Sequence, residues 1–266
     1  MNSGKPDPIS VIVIAHNEEK NIGPCLESVR WADERIVVDS FSRDRTVEIA
    51  KGMGATVFQR AWSGFADQKR FAFEQTNHSW VLSIDADERV SEELRKGILK
   101  ILNEGTSRDG FYMPRRSYFL GKWIKHGGWY PGYVMRLFRK EKAVLPDVKV
   151  HEGFLVDGSI AYLKGDLLHN THPTIGQSLE KMASRNQWMA LERIEHGHKK
   201  VRWYDLIFHP AAAFSKKYFS RKGFLDGIHG FILALIDVIV KLALYMAIWD
   251  LQHKEEKEKN LKIFYQ

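Results

Sequence analysis

The sequence predicts an α/β fold: a mostly parallel sheet with helices on both faces, followed by a helical C-terminal extension. Three observations predict it. Short β-branched runs alternate with stretches of helical length through the first hundred residues, the pattern of a parallel sheet covered on both sides. Three of those runs end in polar residues, Asn17-Glu18, Asp39-Ser40 and Asp85-Ala86-Asp87. Beyond residue 172 the composition turns basic and aromatic, then continuously apolar. A domain over 1–172 and an extension over 173–266 follow from that change, and 266 residues suffice for one large core with an appendage.

Residues 9–15 (Ile-Ser-Val-Ile-Val-Ile-Ala) form a β-branched run and read as the first buried strand. A helix is expected over 21–32, a second strand over 35–39 and a helix over 46–53, with Gly54 as its C-terminal glycine. A third strand over 55–59 and a helix over 64–76 follow. Residues 80–90 begin as an apolar run too short for a helix and end in carboxylates. Ser91-Glu92-Glu93 then reads as a helix start with acids in the first turn. Further strands are expected over 110–116 and 133–138, and a helix over 175–194.

Ligands bind such sheets beyond the carboxyl ends of the strands. Alternate strand residues point the same way, so Asp85 and Asp87 can offer two hard oxygens side by side. Two local readings fit them: a site for Mg²⁺ or Mn²⁺ completed by substrate phosphates, or a solvated acidic turn. Asp39 likewise reads as a ligand contact or as a turn or helix-cap residue. No Gly-x-Gly-x-x-Gly follows the first strand, which weighs against a dinucleotide enzyme, and no Gly-Lys-Ser/Thr loop is present. A nucleotide held without either loop needs a metal on its phosphates. His151-Glu152 could supply a ligand and a general base or be an ordinary surface pair. His169 and His172 are spaced loosely for a metal site.

The formal charge of +7 fits an anionic partner. The single cysteine, Cys25, excludes an internal disulfide and fits a reducing compartment, and the polar first eight residues carry no secretory core. The aromatic-rich stretch 118–133 reads as a sugar platform or as core. Between 193 and 222 eight Lys and Arg stand against two acids, interleaved with Trp203, Tyr204, Phe208, Phe214, Tyr218 and Phe219. That mixture suits an anionic membrane surface. No RNA-recognition module accompanies it, so nucleic acid is not an expected partner. Residues 231–249 are nearly all apolar. As a helix they would extend roughly 28 Å against a hydrocarbon core of about 30 Å. Asp237 and Lys241 interrupt the run one turn apart, which favours a helix lying in the interface over one that spans.

Taken together, the motifs resemble family 2 inverting glycosyltransferases of GT-A fold, the Rossmann-like nucleotide-diphospho-sugar transferase fold. The similarity is greatest to the branch of lipopolysaccharide core glucosyltransferases (WaaE/KdtX-like). It covers nearly the whole chain, carried by Ser10-Val-Ile-Val-Ile-Ala-His-Asn-Glu-Glu19, Val38-Asp-Ser-Phe-Ser-Arg-Asp-Arg-Thr46, Gln68-Lys69, the run from Trp80 to Val90, Pro114-Arg-Arg116, His126-Gly-Gly-Trp-Tyr-Pro131, Arg136-Leu-Phe138, Val150-His-Glu152 and Gly223-Phe-Leu-Asp-Gly227. The resemblance implies that Ala15, Asn17 and Glu18 line a nucleotide, that Asp39 meets its uracil and that Lys69 lies near it. It implies that Asp85 and Asp87 hold Mg²⁺ or Mn²⁺ on the diphosphate, Asp85 touching the nucleotide as well, with His151 a further metal contact. Glu152 is implied as catalytic base. The implied partners are a UDP-sugar donor, a lipid-linked saccharide acceptor and an anionic membrane surface, at the cytoplasmic face of an inner membrane. Neither Asp85 nor Asp87 is expected to have a packing role. The chain departs from the pattern at Phe41 and Arg45, where the family commonly has Gly, at Arg70, commonly Asn, and at Gly132, commonly Asp.

Overall fold

A computed structural model describes residues 6–146, 153–172, 174–197 and 199–254. The chain forms two compact units: Met1–Tyr118 with Tyr130–Thr171, and Phe119–Trp129 with His172–Gln266.

In chain order the strands and helices up to residue 172 are β1 (Ile9–Ala15), α1 (Ile22–Ser28), β2 (Glu34–Asp39), α2 (Thr46–Gly52), β3 (Thr56–Gln59), α3 (Phe65–Glu74), β4 (Trp80–Asp85), β5 (Glu88–Val90), α4 (Glu92–Glu104), β6 (Gly110–Met113), β7 (Arg115–Phe119), β8 (Lys122–Trp123), β9 (Val134–Arg139), β10 (Ala143–Val144), β11 (Leu155–Val156), β12 (Ile160–Tyr162) and β13 (Leu167–His172). Seven strands make the main sheet in the order β12-β6-β9-β4-β1-β2-β3. β1 pairs in parallel with β2 and β4, β2 with β3, and β12 with β6. Only β9 runs against its neighbours, β4 and β6. The sheet is mostly parallel, as expected. A second, smaller sheet sets β13 between β5 and β7.

The two faces of β1 show why the sheet is covered twice. Ile9, Val11, Val13 and Ala15 enter one core with Ile22, Cys25 and Leu26 of α1 and Leu94, Ile98 and Leu102 of α4. Ile12 enters the other with Ala72 of α3 and Phe138 of β9, because successive side chains of a strand leave on opposite faces. Gly54, at φ +76, follows α2 as its expected terminal glycine.

Two expected elements differ. The helix foreseen over 21–32 stops at Ser28, where side chains take over its last carbonyls. Ser28 Oγ donates to the Cys25 carbonyl at 2.7 Å and Trp31 Nε1 to that of Ser28 at 2.9 Å. The strand foreseen over 110–116 splits into β6 and β7 at Pro114, which has no N–H for a ladder.

The second unit contains α5 (Ile175–Glu195), α6 (Asp205–Ser215), a π-helical turn (Lys216–Ser220), a 3₁₀ turn (Gly223–Asp226) and α7 (Ile228–Gln252). Leu233 and Ile236 of α7 pack with Phe119 and Ile124, and Leu244, Tyr245 and Ile248 pack with Ala190 and Val201. Buried Asp226 accepts from the amides of Lys125 at 3.3 Å and His126 at 2.8 Å. Two sequence motifs a hundred residues apart thus meet inside this unit. Gly230 is required there, since a Cβ on it would lie 1.9 Å from the Gly223 carbonyl oxygen. Phe119 is fully buried and Trp129 packs beside it, so these aromatics of 118–133 are core.

Ser91 caps α4: its Oγ accepts from the Leu94 amide at 3.3 Å and from the Asp166 amide at 3.1 Å. Ser91→Ala leaves both donors without that oxygen and is expected to cost about 1–2 kcal/mol. Urea unfolding followed by circular dichroism measures it, and an unchanged midpoint would show that the cap contributes nothing.

Candidate donor site at the strand ends

The parallel register sets Ala15 opposite Asp39 and Ile14 opposite Asp85. The polar ends of β1, β2 and β4 therefore lie in one row at the carboxyl edge of the sheet, where such folds bind ligands.

A web of short-range hydrogen bonds shapes the first two loops. Asn17 sits in the left-handed region at φ 53, a conformation Asn tolerates. Its amide donates to Ser42 Oγ at 2.8 Å, and its Oδ1 accepts from the Arg43 amide at 2.8 Å. The Glu18 amide donates to Thr46 Oγ1 at 2.8 Å. Asp39 is fully buried and closes the turn after β2, accepting from the Ser42 amide at 2.9 Å, from the Ser42 hydroxyl and from Gln59 Nε2 at 3.3 Å. Phe41, where the family commonly has Gly, takes φ 55 with its ring largely exposed. A glycine would hold that backbone without steric cost.

Asp85 is less exposed to solvent chemistry than its sequence suggests. Lys69 Nζ, buried on α3, lies 3.0 Å from its Oδ1, and Arg136 Nη2 on β9 contacts its Oδ2 at 2.5 Å. Arg136 also donates to Glu88 Oε1 at 2.8 Å, and Glu88 Oε2 accepts the Asp85 amide at 3.0 Å. Glu88 is completely buried. The expectation that Asp85 is free of a structural role is therefore overturned: it is the partly exposed corner of an otherwise buried ion network. Burial alone would raise the Asp85 carboxyl, but Arg136 and then Lys69 outweigh it and hold it far below the usual carboxylate range. Burial likewise opposes the charge on Arg136, and Asp85 and Glu88 more than restore it.

Asp87 has different neighbours. His169 Nε2 lies 3.5 Å from its Oδ2, and His169 Nδ1 lies 3.3 Å from Ser117 Oγ. The loosely spaced histidine of the sequence thus backs one of the two acids. Among the described residues no cluster of three His, Cys, Asp or Glu gathers as a metal cage. His151 and Glu152 lie outside the described residues. Cys25 lies beneath the loop, its Sγ 3.6 Å from the Asp85 carbonyl. Burial, then the acids Glu88, Asp87 and Asp85, push its pKa well up, so it stays a thiol.

Sequence reasoning assigned no role to Arg136 or Glu88. The available signal was a charged residue in the middle of an apolar strand pattern, Val-Met-Arg-Leu-Phe, and a third acid beside Asp85 and Asp87.

A mostly parallel sheet thus gathers a lysine and several acids at its carboxyl edge. Residues 10–169 match the model of glycosyl transferase family 2, and the chain belongs to that family. It is a glycosyltransferase. It is 32% identical to the lipopolysaccharide core biosynthesis glycosyltransferase LpsC of Rhizobium meliloti (strain 1021), over 87% of this chain and 88% of that one. It is 29% identical to the uncharacterized glycosyltransferase RP128 of Rickettsia prowazekii (strain Madrid E), over 93% and 89%. Among solved structures it is similar to S. aureus TarS 1–349 in complex with UDP-GlcNAc, with a TM-score of 0.49 and 16% identity over 94% and 92% of the two chains.

A carboxyl whose folded pKa is depressed stabilises the protein above its unfolded value, 3.8, and loses that contribution as pH falls below it. In metal-free buffer the wild type should therefore lose thermal stability on acidification below about pH 4 more steeply than Asp85→Asn, which has no charge there to lose. Parallel acid limbs for the two proteins would show that the Lys69–Asp85–Arg136 network adds no net stability.

Proposed function

We propose that this glycosyltransferase moves a hexose, glucose foremost, from a UDP-sugar to a lipid-linked saccharide with inversion, in lipopolysaccharide core biosynthesis. The observation that carries the reading is the row of strand ends, which sets Ala15 opposite Asp39 and Ile14 opposite Asp85, with buried Lys69 beside Asp85. Ala15, Asn17 and Glu18 line the nucleotide in this reading and Asp39 meets the uracil. Lys69 and Asp85 stand at the diphosphate. The name of the relative LpsC supports lipopolysaccharide core as the acceptor class.

Asp85 and Asp87 are hard oxygen donors of the kind Mg²⁺ and Mn²⁺ prefer. Asp87 is contacted by His169 on one oxygen, which leaves the other to face a cation. These two carboxylates would hold the ion, with His151 a further contact. When bound, it supplies positive charge for the departing diphosphate. Glu152 is the proposed base, taking the proton of the acceptor hydroxyl as that oxygen attacks the sugar. A second, metal-independent reading is favoured by the contacts of Asp85, both of whose oxygens already face cations. Lys69 and Arg136 would then be the positive charge nearest the diphosphate.

The second unit is proposed to dock on the cytoplasmic face of an inner membrane. α7 is 25 residues long with a mean hydropathy of 2.4 over its most apolar stretch. Its Leu233, Ile236, Leu244 and Ile248 are buried within the unit, while Phe231, Leu235, Ile239, Leu242, Met246 and Trp249 form an exposed stripe at helical spacing. Asp237 is neutralised by Lys217 at 2.7 Å, not by Lys241. A helix already packed on one side and bare on the other suits the interface better than a span.

Glu152→Gln keeps shape and removes basicity, so turnover should fall roughly 10²–10⁴-fold with UDP affinity unchanged. Transfer from UDP-glucose to lipopolysaccharide core acceptor, run with Mg²⁺, with Mn²⁺ and after chelation, checks both readings. Loss on chelation, mirrored by Asp87→Asn, supports the metal site. Full activity after chelation selects the metal-independent reading, and undiminished turnover of Glu152→Gln removes that residue as base.

A further inference from the structure

We infer that the second unit carries its own ligand site, a basic cleft that takes the phosphate of an anionic lipid headgroup. The cleft holds about 670 Å³ and is lined by Lys199, Lys200, Arg202, Tyr204, His209 and Tyr245. Three fixed cations face one carboxylate there, Asp205. A volume in this range suits a small organic ligand and exceeds what a bare inorganic anion fills.

The cations stand on a built loop. Val201 between them is buried in a core with Ala190, Leu244 and Ile248. Its amide donates to Gln252 Oε1 at 2.9 Å, and Gln252 Nε2 donates to the Lys199 carbonyl at 3.1 Å, which clamps the loop to the end of α7. The Arg202 amide donates to Asp205 Oδ2 at 2.8 Å, and Asp205 Oδ1 lies 3.4 Å from His209 Nε2. The His209 ring stacks on buried Tyr245 with centroids 4.4 Å apart and planes within 7°. Arg202 Nη1 donates to the Tyr204 hydroxyl at 2.9 Å, fixing the guanidinium at the cleft wall. A guanidinium and ammonium groups held around one cavity match the oxygens of a phosphate.

The source of the phosphate follows from the residues next to the cleft's cations in the chain. Trp203, Ile207 and Phe208, on the same loop and the first turns of α6, are 73%, 56% and 66% exposed. Large bare apolar side chains on the segment that carries the cations have no use for a soluble phosphate ester. They are the arrangement by which a protein seats its cations on headgroups and its rings among acyl chains. The site deepens the membrane reading above and rests on it. The chemistry of glycosyl transfer is not involved.

The test uses the full-length protein and vesicles of phosphatidylcholine, alone or with phosphatidylglycerol. Lys200→Gln with Arg202→Gln is compared with a control pair, Lys216→Gln with Lys222→Gln, after circular dichroism shows that both are folded. A diffuse basic surface loses roughly fivefold in affinity per charge wherever the charge is removed. A headgroup site loses at least about tenfold more from the cleft pair than from the control pair. Trp203→Ala should weaken vesicle binding while leaving the weak binding of soluble glycerol phosphate, read by thermal shift, as it was. Equal losses from the two pairs would overturn the cleft. Tight binding of glycerol phosphate without preference for phosphatidylglycerol would also overturn it, the ligand then being a soluble phosphate ester. Wild type that ignores both kinds of vesicle defeats the membrane reading and this site together. Nucleotide binding measured in detergent reports separately on the transferase and should be the same in every variant.

Discussion

The buried guanidinium of Arg136 is the interaction on which the candidate site of the first unit depends. It reaches from β9 to Asp85 at the end of β4 and to Glu88 at the start of β5. Ions so far from water cost several kcal/mol each unless they are paired and hydrogen-bonded, and removing one partner of such a pair costs about 3–5 kcal/mol. Here Glu88 also receives the Asp85 amide, while the buried Nε of Arg136 has no hydrogen-bond partner. The strand after which the chain turns is therefore pinned by charge and by backbone hydrogen bonding at once. Its position is inherited from register: Phe138 lies opposite Val81 and Leu137 opposite Leu82, which brings the next residue, Arg136, toward the acidic end of β4. A slip of one residue would send Arg136 to the other face of the sheet.

Two acids separated by one alanine have thus taken different work. Asp85 is held ionised by Lys69 and Arg136 and orders the edge of the sheet, while Asp87 meets a histidine and is the acid with an oxygen left to offer. The triplet read as a pair of equivalent ligands is, in the fold, one acid paired with two cations and one acid beside a histidine. This asymmetry is what makes both a metal-assisted and a metal-independent donor site consistent with one arrangement of side chains.

The main sheet was legible because its signals are local. Residues 9–15 form β1 as read, and Gly54, Gly64 and Ser91 mark helix ends by their own backbone and hydroxyl chemistry. What escaped depends on contacts distant in the chain. Arg136 becomes interpretable only once β9 is known to lie beside β4, and His169 only once β13 is paired with β5. The aromatic stretch after Tyr118 read equally as a sugar platform or as core, because the partners that bury it, Leu233 and Ile236, lie more than a hundred residues away. Conversely, the apolar run of α7 was read for its length, and the partial burial that distinguishes its two faces could come only from the packing of the second unit.

That packing has a consequence for how the chain is made. Phe119 and Ile124 leave the ribosome long before α7, yet α7 supplies the side chains that bury them. Asp226, which receives the amides of Lys125 and His126, also arrives about a hundred residues late. Domains otherwise tend to fold as units from the N-terminus during synthesis. In this chain a greasy mid-sequence loop must wait, exposed, until nearly the whole protein has emerged. A ribosome stalled before residue 228 would therefore display a nascent chain with an uncovered apolar segment in its middle, a natural target for a chaperone that binds hydrophobic sequence.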